Sequence, residues 1–192
     1  MKLEKELEKK VKKEAFIYLE KGREGWGIPH TIATVYWMRK LIEKEGGNEK
    51  ILVTTMYLHD IGYQVKKNDG FDTIMAGNKL DHEEIGAALA EKILKKTGGF
   101  SPEETNHIVH LVRYHDHLDN IDSHDSQMVM EADSLGAIDW ERVKPNFTKE
   151  DTARYLEHFK KNRVNKFQTK TGKKFLKEVL EKAEKYLNEW KK

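Results

Sequence analysis

Ile51-Leu52-Val53-Thr54-Thr55-Met56-Tyr57-Leu58-His59-Asp60-Ile61-Gly62 is the stretch whose reading decides the fold. Eight residues without a formal charge run into a histidine and an aspartate, and a glycine follows. The run reads as a helix buried on all sides and ended at Gly62, because a helix apolar all round belongs inside a packed core. A His-Asp pair at the end of such a helix is costly unless both groups find partners. A hydrogen bond from the imidazole to the aspartate is one solution. A divalent cation is another, since neutral imidazole and carboxylate are its usual nitrogen and oxygen donors.

Outward from this helix the pattern stays helical. Leu3, Leu7, Val11, Ala15 and Leu19 recur every four residues among Lys and Glu, the mark of a surface helix with one buried stripe. Pro29 suits the first turn of a second helix carrying His30, Ala33, Val35, Trp37 and Leu41. Gly46-Gly47 ends it, and Asn48 caps the apolar helix. Residues 63–80 hold two glycines, Gly70 and Gly77, and weak periodicity and read as a loop. Asp81 with Glu84 opens the next helix, and Ser101-Pro102-Glu103-Glu104 opens the one after. A second loop covers about 116–125. Further helices are expected over Ser126–Ile138, from Thr148 with Asp151, and from about Thr171 to Trp190. No run alternates as a strand does. The expectation is one all-α domain over 1–192, with a core at about 28–140 and C-terminal helices over 148–191 packed on it. The last helix (Phe175, Val179, Leu180, Ala183, Leu187) is expected to pack on its own chain, with a homodimer interface as the alternative.

Composition narrows the function classes. Thirty-five basic residues against 33 acidic leave a net charge of +2, which argues against a nucleic-acid tail or a polybasic membrane patch. The absence of cysteine excludes disulfides, thiolate catalysis and cysteine-based metal sites. No apolar run approaches membrane-spanning length and the N-terminus is not signal-like, so the expected location is cytoplasmic.

Histidine is the residue type that calls for explanation: eight of the nine lie between 30 and 124. Asp133 is an acid inside the apolar run Met130-Glu131-Ala132-Asp133-Ser134-Leu135-Gly136-Ala137-Ile138. His30, His59, Asp60 and Asp133, drawn from separate helices, form a natural metal cage in a helical bundle. His82, His115 and Asp116 are donors for a second ion or for catalysis.

Several segments together give a specific resemblance. The order His30, His59-Asp60, Asp133 resembles the HD-domain superfamily of metal-dependent phosphohydrolases, and Leu58-His59-Asp60-Ile61-Gly62 is similar to its "HDIG" form. His82-Glu83-Glu84-Ile85-Gly86-Ala87, the helix from Ile108 to His115 and Glu131-Ala132-Asp133-Ser134-Leu135-Gly136-Ala137 are similar to further motifs of that superfamily. His158-Phe159-Lys160-Lys161, with Thr169 and Thr171, resembles the C-terminal half of the small YedJ/YpgQ-like branch.

The resemblance implies an HD-type helical bundle that hydrolyses a phosphate ester or phosphoanhydride of a nucleotide or another small phosphorylated molecule. It implies His30, His59, Asp60 and Asp133 as ligands of one divalent ion: Mn, Fe, Ni, Co or Mg. His82 and His115, with Asp116, would serve a second ion or the leaving group; the expectation is one tight ion and a weaker second. Lys66 and Lys67 on the 63–80 loop, read as a lid, and Arg113 and Lys161 behind it are candidate phosphate-binding cations. Alternatives are a nucleotide-sensing module without turnover and a di-iron oxygenase using the same donors. The chain departs from the family pattern in three places. Thr34-Val35 stands where the branch has Arg-Val, His115-Asp116 stands where the cyclic-di-nucleotide hydrolases have His-His, and no Glu follows Asp60 by three residues.

Overall fold

The computed structural model describes residues 1–22, 24–63, 71 and 79–190. The described residues form eight α-helices and one short 3₁₀ turn, with no strand among them. In chain order the helices are α1 (Lys5–Leu19), α2 (Gly27–Glu45), α3 (Glu49–Leu58), α4 (Lys79–Thr97), α5 (Pro102–Tyr114), α6 (His124–Ile138), α7 (Lys149–Asn162) and α8 (Lys170–Asn188), with the 3₁₀ turn at Val164–Lys166 before α8. The all-α reading therefore holds.

Local chemistry sets the helix starts. Asn48 Oδ1 accepts the Lys50 amide at 3.1 Å and opens α3. Ser101 and Glu104 form a reciprocal capping box at α5, with Pro102 beside it. Thr148 Oγ1 accepts the Asp151 amide and opens α7. Three starts lie earlier than the sequence suggests. α4 begins at Lys79, ahead of Asp81. α6 begins at His124, ahead of Ser126, capped by Ser123, whose hydroxyl accepts the Ser126 amide at 3.1 Å. Thr169, whose hydroxyl accepts the Gly172 amide at 2.9 Å, caps α8, and the Thr171 amide is bound to Glu45 Oε1 at 2.8 Å.

α3 is the axis of the bundle, with Ile51 through Leu58 buried. α2 and α5 pack beside it, α6 lies along α2, and α4 lies along α5. α6 is buried along its length from Gln127 to Ile138. α8 lays Leu176, Val179 and Ala183 into the core against α6, α2 and α7, so this stripe is used within the chain. Trp37 meets Phe175 at a centroid distance of 5.2 Å across that junction.

Two glycines permit close approaches that place the site. A Cβ on Gly136 would lie 2.6 Å from Thr34 Cγ2, so α2 and α6 meet one turn beyond His30 and Asp133. A Cβ on Gly62 would lie 2.0 Å from the His82 carbonyl oxygen, so the His-Asp turn presses directly on α4. No helix among the described residues is long and apolar enough to cross a membrane.

Candidate metal centre

His59 sits at the C-terminal end of α3, and its Nδ1–H donates to the Met56 carbonyl at 2.9 Å. A carbonyl can only accept, so the proton is on Nδ1 and Nε2 is left to face the interior. His115 repeats this at the end of α5, donating from Nδ1 to the Val112 carbonyl at 2.7 Å. Each ring satisfies a carbonyl that its helix end leaves open, and is oriented by doing so. Each is followed by an aspartate, Asp60 and Asp116.

His59 Nε2 lies 3.2 Å from His30 Nε2. Asp133 Oδ1 is 3.0 Å from His30 Nε2 and 3.5 Å from His59 Nε2. Asp60 Oδ2 is 3.5 Å from His30 Nε2 and 3.4 Å from His59 Nε2. Two imidazole nitrogens and two carboxylate oxygens thus converge with edges of 3.0–3.5 Å. Those edges are what donors about 2.1 Å from one shared centre present, the distance at which first-row divalent ions and Mg hold nitrogen and oxygen. The other ring nitrogen of His30, the buried Nδ1, has no hydrogen-bond partner among the described residues, and the Trp26 ring stacks on the imidazole at 5.2 Å. The residues present therefore fit a divalent ion.

Asp60 faces two ways. Its Oδ2 meets the first cage, while its Oδ1 lies 3.5 Å from His115 Nε2. Donor atoms of Asp60, His82 and His115 lie within 4.8 Å of one another, a second and looser group. Tyr63 packs on His82 at 4.4 Å.

The charges in this cluster reinforce one another. Burial opposes ionisation of Asp133, but the Arg163 guanidinium and the His30 and His59 rings outweigh it and hold the carboxyl well below its usual range. Burial likewise opposes ionisation of Asp60, and His59, His115 and His30 more than offset it. His115 also loses solvation, yet its hydrogen bond to Asp60 and the nearby carboxylates push it up to about 9. His82 is shifted the other way, by burial and by the neighbouring His115, and stays neutral near pH 7.

The structure brings His30, Asp60, His82, His115, Asp116 and Asp133 to one cavity, of about 140 Å³, with His59 behind them against His30 and Asp133. That is room for more than an ion and one water. Asp116 is not free to be a ligand: its carboxylate pairs with Arg163. Two expected phosphate cations lie elsewhere. Arg113 pairs with Glu84 at 2.9 Å and Lys161 is exposed, and neither lines the cavity. Geometry gives the reason, since α5 turns Arg113 towards α4 and α7 turns Lys161 to solvent. Lys66, Lys67 and most of the proposed 63–80 lid lie outside the described residues.

The cavity cation that sequence reasoning missed is Arg163. Its Nη1 donates to Asp133 Oδ2 and to Ser134 Oγ, each at 2.9 Å, and its Nη2 donates to Asp116. Where the family pattern suggested an arginine, Thr34 instead donates to the Thr31 carbonyl and abuts Gly136. α7 also contributes Tyr155, His158 and Phe159 to the cavity wall. Their spacing of three and four residues was a readable signal, but nothing in it pointed at the site.

The family model for the HD domain matches residues 27–138, a stretch that contains both donor groups. A crystal structure of a predicted HD superfamily hydrolase from an uncultured Thermotogales bacterium is similar in fold. It has a TM-score of 0.63 at 20% identity, and the match covers 95% of this chain and 92% of that one. No curated protein matches the chain.

Proposed function

Because the chain belongs to the HD-domain family, we propose that it is a divalent-metal-dependent phosphohydrolase acting on a small phosphorylated molecule, with a nucleotide as the substrate class of choice. The observation that carries the reading is the convergence of His30 Nε2, His59 Nε2, Asp60 Oδ2 and Asp133 Oδ1 with edges of 3.0–3.5 Å. These four residues would hold the ion. When bound, such an ion polarises a phosphoryl oxygen and lowers the pKa of water.

The protein's own groups supply the rest. Asp60 offers its second oxygen to the His82–His115 side, so that side can hold a weaker second ion or work as acid and base. His82 and His115 are the groups placed to accept a proton or to donate one to a leaving oxygen. The aromatic wall of Trp26, Tyr63, Tyr155 and Phe159 excludes water and offers flat faces to the non-phosphate part of a substrate.

The test is element analysis of the purified protein, followed by a panel of nucleotides and phosphate esters assayed with the metal found. Near-stoichiometric metal and metal-dependent release of phosphate are expected, and Asp60→Ala should lose both. Full turnover with stoichiometric metal in Asp60→Ala would show the cage to be misassigned. Turnover that needs dioxygen would favour oxygenase chemistry on the same donors.

A further inference from the structure

We infer that Arg163 is a positioning residue that sets how many ions the site takes: it turns Asp133 towards His30 and His59 and withholds Asp116 from the Asp60–His82–His115 group. The inference rests on the metal-ligand reading above and concerns a residue outside the family-matched stretch 27–138.

The guanidinium is planar, permanently charged and fixed in the direction of its donors. Here that fork is shared between two carboxylates. Nη1 holds Asp133 by Oδ2, which leaves Oδ1 of the same carboxylate pointing at His30 and His59. The Ser134 hydroxyl accepts a further bond from Nη1 and keeps the fork from swinging away. Nη2 holds Asp116 by Oδ1.

Asp116 follows His115 directly and lines the same cavity as Asp60, His82 and His115. It is the acid placed to raise that three-donor group to four. With Asp116 committed to Arg163, the group keeps two imidazoles and one oxygen of a carboxylate already shared with the first cage. An ion there must compete with a charge-assisted hydrogen bond for Asp116. The first cage has no such competitor, because Arg163 takes the oxygen of Asp133 that the cage does not use.

The experiment is Mn²⁺ binding to the full chain, with free ion counted by electron paramagnetic resonance. The native protein should bind one ion tightly and a second weakly. Arg163→Met should tighten the second ion about tenfold or more, the lower end of what a ligand's hydrogen-bond partner is worth to metal affinity. Adding Asp116→Asn to that variant should abolish the gain. Asp116→Asn alone should leave the second ion's affinity unchanged. A merely structural loss would weaken binding and would not be reversed by the second substitution.

If Arg163→Met does not fold, Arg163→Lys keeps the charge but replaces the fork with one ammonium, and it should show part of the same gain. Unchanged second-ion affinity in the folded Arg163 variants overturns the inference, as does loss of the second ion in Asp116→Asn alone. A native protein that takes up no ion overturns the metal reading itself, and the inference with it.

Discussion

His115 is the residue whose environment gives the clearest pH signature. In the chelated protein its folded pKa is raised from an ordinary value near 6.5 to about 9, because Asp60 and the other carboxylates outweigh burial. The folded state then binds the proton more tightly than the unfolded chain. The stabilisation is fully present below about pH 6.5 and is lost as pH rises through about 9. Thermal melts of chelated protein should fall across that window, and His115→Gln should flatten the fall. A His115→Gln profile parallel to the native one would rule out this protonation. At this scale much was legible in the sequence: His30, His59, Asp60, His82, His115 and Asp133 stand out as polar residues in apolar helices, and the structure brings them together. Arg163 was not legible. It follows a charged, solvent-facing helix that looks like surface, and only the tertiary path of the chain carries it to Asp133, 30 residues away.

The helices show the same division. Caps that are local side-chain-to-amide bonds, at Asn48, Ser101 and Thr148, could be read directly. The cap at Thr169 is local too, its hydroxyl accepting the Gly172 amide at 2.9 Å, but a distant carboxylate holds the turn before it. Glu131, buried on α6, accepts the Gln168 and Thr169 amides at 2.8 and 2.9 Å, the Gln127 side-chain amide at 2.8 Å and the Thr169 hydroxyl. The junction before α8 is thus closed by an acid two residues from Asp133. Glu131→Gln keeps the shape but turns donors against donors. It should cost about 1.5–3 kcal/mol, the worth of hydrogen bonds to a charged group, read as a lower urea midpoint. A change under about 0.5 kcal/mol would place Glu131 among ordinary surface-like substitutions.

For the whole molecule, the cage should couple metal to stability. A ligand that binds only the folded state at a hundred times its dissociation constant adds about 2.7 kcal/mol. Chelation should therefore lower the melting temperature, by roughly 5–10 °C for a chain of this size. An unchanged melt would mean that the cage is held in shape without an ion. The division of labour along the chain has a consequence for biosynthesis. Every donor of both groups is drawn from residues 30 to 133, but their counter-cation is residue 163. Chains emerge from the ribosome N-terminal end first. A nascent chain that has released α6 but not the turn after α7 must bury Asp116 and Asp133 without their guanidinium or leave them in water. On the metal reading the centre would therefore be completed late in translation, and a stalled or truncated product would carry every proposed ligand yet lack the guanidinium that pairs Asp116 and Asp133.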